Sequence, residues 1–379
     1  MKKKFLIITT VPMSLFFFRG QVGILKTAFD IEAVSSPNEQ LSRFCEREEI
    51  QGHSIKMFRE ISLINDVKSL FKLVQLFKKL QPEVIHGNTP KAGNLSMIAG
   101  WIAGVPHRIY CIHGLRYQGA SGLKKVLLKT MERISCRFAT DVMTVSFGVK
   151  NLLKEENIYK GDVKVIWNGS VNGIDTNLFS PDAIDADYLK TQYKFDDSHL
   201  VFGFVGRLVK DKGVNELIAA FVEVNKKYPN IRLLLVGDYE KSDPVTDATK
   251  NLIETHEHII FGGWQKDIRP FLKIMDIFTF PSYREGFGLS LMEAAAMNVP
   301  AISSNITGCN EIIENGYNGR LIPSKSTKEL KNAMEEFVLN PQLIKQMSSV
   351  SRQYVIDKYE QKQLWDKALQ AYKKIVNDV

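Results

Sequence analysis

Two short stretches of the 379-residue chain combine charged side chains with turn-forming glycines in an order that suits chemistry on an anion. The first reads Phe280-Pro281-Ser282-Tyr283-Arg284-Glu285-Gly286-Phe287-Gly288-Leu289-Ser290-Leu291-Met292-Glu293-Ala294-Ala295-Ala296. An apolar strand ends at Pro281, a glycine-bearing turn follows, and a run of helix formers begins near Gly288 or Leu289. A helix start leaves backbone N–H groups without intrahelical partners, so the amides around Phe287 to Ser290 form a site for a phosphate. Glu285 and Glu293 bracket this turn. Carboxylates do not bind phosphate; beside an anion site they suit hydroxyl-rich groups carried by a diphosphate, a ribose at one end and a sugar at the other. A capping role for Glu285 and a solvated helix position for Glu293 remain open at this level.

The second stretch is Gly206-Arg207-Leu208-Val209-Lys210-Asp211-Lys212-Gly213, directly after the apolar run Leu200 to Val205. Gly206 allows close backbone approach, and Arg207 and Lys212 place a guanidinium fork and a point charge at one sheet edge. Together they can neutralise a departing diphosphate without a metal. A plain surface turn is the alternative. Gly203 and Gly206 do not make the dinucleotide fingerprint, and no phosphate-binding loop of the GxxxxGK[ST] type occurs.

Both stretches need elements to hold them. Short β-rich runs alternate with longer helical patterns through both halves, the pattern of an α/β protein with parallel sheets. Strands are expected at Lys4–Val11, Glu83–His86, Arg108–His113, Val142–Val145 and Val163–Trp167, then at Leu200–Val205, Ile231–Val236, Ile259–Phe261, Ile277–Phe280 and Ala301–Ser303. The apolar run from Phe5 to Phe18 behind Lys2, Lys3 and Lys4 imitates a signal peptide, but Pro12 interrupts it and no small-residue cleavage site follows; a buried first strand is the reading preferred. Cys45, Cys111, Cys136 and Cys309 are widely spaced, which fits a reducing compartment better than a disulfide framework or a zinc site. Two tandem Rossmann-like domains are expected, residues 1–180 and 181–360, with a final helix over 361–379 packing back on the first.

Charge is unevenly placed. Residues 1–170 hold 25 basic and 14 acidic side chains, and the remainder 25 and 28. Much of the excess sits in two helical patterns: Leu123, Val126, Leu127, Met131, Ile134 and Phe138 among Lys124, Lys125, Lys129, Arg133 and Arg137, and Leu70, Phe71, Val74 and Phe77 among Lys68, Lys72, Lys78 and Lys79. The apolar stripes are expected in the core, with the cations outward and resting on an anionic membrane surface. Nucleic acid is disfavoured as a partner, because no reading module or interleaved aromatics accompany the cations.

Taken together, these residues resemble the GT-B retaining glycosyltransferases of family 4. The likeness covers nearly the whole chain: the segment at 206–213, the E-x7-E pair Glu285 and Glu293, the tail Ala301–Leu321, the linker Asn172-Gly173-Ile174-Asp175-Thr176-Asn177-Leu178-Phe179-Ser180-Pro181 and the pair His113-Gly114. Asn88-Thr89-Pro90-Lys91-Ala92-Gly93 and His113-Gly114-Leu115-Arg116-Tyr117 look like the bacterial branch that builds capsular, O-antigen or lipid-linked oligosaccharides. The resemblance implies two Rossmann-like domains facing across a cleft. It implies that Arg207 and Lys212 hold the donor diphosphate, that the amides of Phe287, Gly288 and Leu289 cradle its phosphates, that Glu293 takes the ribose and that Glu285 takes the donor sugar. His113 would face that sugar, Gly20 and Arg19 would approach the diphosphate, Lys91 would contact substrate, and Trp264 would line the base pocket, a buried core Trp being the alternative there. Asn298 and the pair Gly308-Cys309 depart from the family's usual glycines.

The expected reaction moves a hexose or N-acetylhexosamine from a nucleotide-sugar donor, UDP-linked, to an undecaprenyl-diphosphate-linked sugar, with retention and with no metal or other cofactor. The expected place is cytoplasmic, peripheral to the inner membrane. A GT-B-like nucleotide-sugar epimerase and a non-catalytic nucleotide-binding scaffold are the rival readings.

Overall fold

The computed structural model describes residues 2–60 and 62–377. It divides into two compact units: one runs to Gly173 and takes in the C-terminal helix from Gln361, and the other spans Ile174–Glu360.

The first unit is built on a seven-stranded, all-parallel sheet of order β3-β2-β1-β4-β5-β6-β7. Its strands are β1 (Lys3–Ile8), β2 (Phe29–Ser35), β3 (Gln51–Ser54), β4 (Val84–Asn88), β5 (His107–Ile112), β6 (Asp141–Thr144) and β7 (Val163–Val165). Phe5 to Ile8 are fully buried, so the apolar run near the N-terminus forms an inner strand covered on both faces. It ends before Pro12, which opens a short 3-10 helix, Pro12–Phe18. β2 and β3 were not expected. β2 carries Asp30 and Glu32 inside its apolar pattern, and Glu32 is buried only because Lys4 and His53 pair with it. β3 is a polar edge strand with no burial pattern to read.

The second unit has a six-stranded parallel sheet of order β10-β9-β8-β11-β12-β13. Its strands are β8 (Leu200–Val205), β9 (Ile231–Val236), β10 (Ile259–Gly263), β11 (Ile277–Phe280), β12 (Ala301–Ser304) and β13 (Gly319–Ile322). In each sheet the strand order reverses once, beside β1 and β4 in the first and beside β8 and β11 in the second. Such a switch point leaves a crevice at the carboxyl ends of the strands.

Two expectations about the helices and the linker need correction. Residues 174–180 belong to the second unit, because Ile174 N–H donates to Tyr359 O at 2.8 Å and the Arg352 guanidinium donates to Thr176 O and Phe179 O at 2.6 and 2.5 Å. The basic helices bury the stripes assigned to them only in part: Phe77 is in the core and Leu70, Val74 and Phe138 pack against it, while the other positions depart. In Gly122–Phe138 the inward residues are Leu128, Glu132, Ser135 and Cys136, and Leu123, Val126, Leu127 and Ile134 are exposed. In Leu63–Leu80, Leu73 and Phe77 are buried while Leu63, Ile64, Val67 and Phe71 are exposed. Both helices pack against the intervening Pro90–Ala103 helix, so their apolar residues share one side of the unit.

The C-terminal helix, Gln361–Asn377, packs in the first unit; Asp378 and Val379 lie outside the described residues. Its Trp365 indole N–H donates to Asn172 Oδ1 at 2.8 Å, and its Tyr372 ring meets Phe5 edge-on at 5.4 Å. The four cysteines are unpaired, and no helix among the described residues is long and apolar enough to cross a membrane.

Arg352→Ala removes the donor shared by Thr176 O, Phe179 O and Ala296 O. It is expected to destabilise the second unit by about 2–3 kcal/mol in urea unfolding and to expose residues 175–185 to limited proteolysis. A wild-type cleavage pattern would contradict this anchoring role.

Candidate active site

In the second unit the two motifs meet at the switch point. The loop after β8 lies against the loop after β11 because Gly213 has no side chain: a Cβ there would stand 2.1 Å from Pro281 O, and φ is +70°. Tyr283 N–H donates to Asp211 O at 2.8 Å, and Arg284 pairs with Asp211. This contact brings Lys212 Nζ to 2.5 Å from Glu285 Oε1, with the ammonium 4.9 Å from the Phe280 ring centre. Both partners are largely buried. Arg207 stands on the same edge, 60% exposed and paired with Glu240.

The helix Leu289–Ala296 starts beside this pair. Two of the three amides assigned to phosphate are already bonded within the protein: Gly288 N–H donates to Gly308 O at 3.1 Å and Leu289 N–H to Phe287 O at 3.0 Å. The amides left open are those of Phe287, Ser290 and Leu291, so the anion site is shifted one residue along the helix. Gly308 keeps its place in this turn, since a Cβ on it would stand 2.7 Å from Gly286 O. Cys309, its neighbour, is fully buried, and burial raises its thiol far above the usual range. Asn298 adopts φ +63° at the end of the helix, a left-handed position that Asn tolerates, so the missing glycine leaves the helix end intact. Glu293 is partly buried, its carboxyl group has no hydrogen-bond partner among the described residues, and burial pushes that group up to about 7. Trp264 follows β10 and is 68% exposed, which excludes the core alternative.

In the first unit His113 follows β5, its ring stacked on Phe17 at 5.2 Å. Its hydrogen bonds fix its tautomer. Asn88 Nδ2 lies 3.0 Å from His86 O, and a carbonyl can only accept, so this atom is the amide NH2. Asn88 Oδ1 must then accept, and His113 Nε2, at 2.8 Å, carries the proton. His86 Nδ1 accepts from Asn88 at 2.9 Å, which leaves the His86 proton on Nε2, facing Tyr372 Oη at 3.1 Å. His113 Nδ1 is a bare, buried acceptor with no partner. Burial lowers His113 to about 4 and, with the neighbouring His113 imidazole adding to it, lowers His86 to about 3. His86, Asn88 and Tyr372 were missed as site residues; for His86 and Asn88 the signal was their spacing, since residues two apart on β4 point to one face, while Tyr372 arrives from the C-terminal helix with no local signal.

The other three first-unit expectations fare differently. Gly20 is half-buried: its N–H donates to the Glu48 carboxylate at 3.2 Å, and a Cβ on it would stand 2.5 Å from the Trp365 ring. Its φ of +77° accounts for the glycine. The Arg19 carbonyl accepts from Asn172 Nδ2 at 3.1 Å. Lys91 is 4% exposed and paired with Asp66, so it is a buried ion-pair partner rather than a free cation.

Because His86 and His113 are held neutral below the usual imidazole value, the unfolded chain binds more protons as pH falls below about 6.5. Stability is therefore expected to decline from about pH 6.5 towards 4 in thermal melts. Asn88→Asp places a carboxylate between both rings and should raise the His113 midpoint from about 4 towards neutrality in an NMR titration; an unmoved midpoint would refute the hydrogen-bond order given above. Gly213→Ala should cost about 1–3 kcal/mol through strain and the clash with Pro281 O, measured by chemical denaturation.

Comparison with known proteins identifies the family. A family model described as a glycosyl transferase 4-like domain matches residues 24–169, and one for glycosyl transferases group 1 matches residues 185–354. The capsular polysaccharide biosynthesis glycosyltransferase CapM of Staphylococcus aureus is 33% identical over 368 residues, 96% of this chain and 95% of its own. The UDP-Gal:alpha-D-GlcNAc-diphosphoundecaprenol alpha-1,3-galactosyltransferase of Escherichia coli is 27% identical over 334 residues, 87% of this chain and 85% of its own. HepE of Anabaena, solved in complex with UDP, shares the fold with a TM-score of 0.81 at 20% identity, covering 98% of this chain and all of that one. With its two parallel-sheet Rossmann-like domains and this kinship along nearly its full length, the chain belongs to the group 1 glycosyltransferases of GT-B fold.

Proposed function

We propose that this glycosyltransferase moves a hexose or N-acetylhexosamine from a UDP-sugar to a sugar carried on undecaprenyl diphosphate, with retention at the anomeric carbon. The observation that carries the reading is the Lys212–Glu285 pair at the β8/β11 switch point, beside a helix start with open amides. A diphosphate arriving there competes with Glu285 for the Lys212 ammonium. The freed carboxylate then takes the hydroxyls of the attached sugar. Arg207 closes on the same phosphates, and the amides of Phe287, Ser290 and Leu291 complete the cradle. Glu293 receives the ribose hydroxyls, and Trp264 offers an exposed face for the base. His113 presents Nδ1 as an acceptor to a sugar hydroxyl.

As the bond from the anomeric carbon to the diphosphate oxygen breaks, the acceptor oxygen bonds to the same face of that carbon, and its proton passes to the leaving phosphate. Fixed cations and amides stabilise the charge that develops, so the proposal includes no metal. The names of the Escherichia coli relative and of a Campylobacter jejuni relative that transfers N-acetylgalactosamine to a diphospho-undecaprenol acceptor support a lipid-linked acceptor. The exposed Leu63, Ile64, Val67, Phe71, Leu123 and Val126, set among lysines, support a first unit resting on an anionic membrane from the cytoplasmic side.

Lys212→Ala and Glu285→Gln are expected to lower kcat for donor turnover with membrane lipid extract by about 10²–10³-fold, and Arg207→Ala by less, because Arg207 is more exposed. Wild-type rates in all three would refute the site. UDP-sugar consumed without any acceptor to give an epimer would favour the epimerase. Flotation with vesicles should need anionic lipid and fail for Leu123→Asn combined with Lys124→Gln and Lys125→Gln; equal flotation of that variant would refute the membrane face.

A further inference from the structure

The first unit has a second concave site, separate from the His113 network, a narrow recess whose mouth opens to solvent. Arg59, Lys91, Arg116 and Glu132 line it, with Leu128 and Met131 from the helix Gly122–Phe138 as its apolar wall. Lys91 opens the helix after β4 and Arg116 follows β5, so the cavity sits at the carboxyl edge of the sheet, the edge that also carries His113.

Its charges do not cancel. Lys91 is paired with Asp66, and buried Glu132 accepts from Tyr110 Oη at 2.6 Å with burial pushing its carboxyl up to about 7. Arg59 and Arg116 are exposed and make no ion pair among the described residues; Arg116 donates one N–H to Arg59 O at 3.2 Å, which holds the two guanidinium-bearing segments together. Two guanidinium forks at one mouth suit an anion with several oxygens. The surroundings specify what that anion is attached to. Phe58 precedes Arg59 in the chain and is exposed, and exposed Leu123, Val126 and Leu127 lie on the helix that forms the wall. A ligand matching these surroundings would have an anionic head at the mouth of the recess, between the arginines, and a long apolar body on the helices.

We infer that the mouth of the recess lined by Arg59, Lys91 and Arg116 binds the diphosphate of a polyprenyl diphosphate, its prenyl chain lying along the exposed residues of Gly122–Phe138. This deepens the acceptor assignment and rests on that reading for its role in transfer. The two arginines would hold the lipid-linked acceptor by its head, while Lys91 and Asp66 keep the floor of the cavity fixed.

The test uses the full chain with UDP present at saturation, so that the anion site of the second unit is filled. Farnesyl diphosphate is the probe, with farnesol and inorganic pyrophosphate as half-ligands and phosphatidylglycerol vesicles as a source of phospholipid headgroups. Binding of farnesyl diphosphate should exceed that of either half-ligand, and Arg59→Gln with Arg116→Gln should weaken it by about ten-fold or more, while UDP affinity and the thermal midpoint stay at wild-type values. Arg116→Lys should restore part of the affinity, because it keeps the charge and loses the fork. Undiminished binding in the double variant overturns the inference. So does an equal loss of vesicle binding, which would assign the arginines to phospholipid headgroups. Failure of the wild type to bind UDP would count against the proposed transfer reaction and leave the farnesyl diphosphate result to stand alone.

Discussion

The backbone of an inner parallel strand must be bonded on both sides, and its two faces must be covered, so a chain built from such strands can place chemistry only where they end. Both units obey this constraint. Loops leave from the carboxyl ends, and the reversal of strand order opens a crevice there. In the second unit that crevice gathers Gly206 to Gly213 from one strand and Pro281 to Gly288 from another, residues seventy positions apart in the chain. In the first it brings Thr10 to Thr89, whose hydroxyls lie 2.7 Å apart, and Asn88 to His113. The charged pair at Lys212 and Glu285 follows from this packing.

Pairing before a ligand arrives has a physical use. A largely buried ammonium or carboxylate left alone is costly, so each charge is held by a protein partner that a ligand can replace. Lys212 has Glu285; Arg207, which is mostly exposed, pairs with Glu240 without that burial cost. In the proposed reaction the exchange would convert one internal ion pair into two ligand contacts of opposite kind, phosphate to the cation and hydroxyl to the carboxylate. His113 follows a different rule. Its neighbours leave it neutral, with one nitrogen committed to Asn88 and the other bare, which suits a group that accepts a hydroxyl proton bond without competing for phosphate.

Legibility followed hydrophobic pattern. β8, β9 and β11 were read with their observed bounds because each is dominated by apolar residues, with Arg232 and Thr279 the polar exceptions in β9 and β11. β2 was hidden by Glu32, whose burial depends on Lys4 and His53 arriving from other elements, and β3 has no apolar residue to reveal it. In the site, Glu285, Lys212 and the helix start were legible as motifs. The state of individual groups was not: nothing in the order of residues says that the Gly288 amide is bonded to Gly308 O, that Trp365 covers Gly20, or that Lys91 is paired with Asp66. Each depends on a partner far away in the chain.

The exposed apolar face shows why periodicity alone misleads. A helical stripe of Leu123, Val126, Leu127 and Ile134 fits a core-facing surface, yet the core takes Leu128, Glu132, Ser135 and Cys136 from the same helix, a more polar set. Glu132 is tolerated inside because Tyr110 donates to it and burial holds it partly protonated at neutral pH. With that face committed to the sheet, the more apolar one is left outside, where water penalises it by roughly 25 cal/mol per Å². In the proposed function a lipid surface would remove the penalty, and the lysines on the same helix would add attraction to anionic headgroups. On the proposed membrane reading, the surplus of basic residues in the first unit and its exposed apolar residues would act together, since either feature alone would bind a lipid surface weakly.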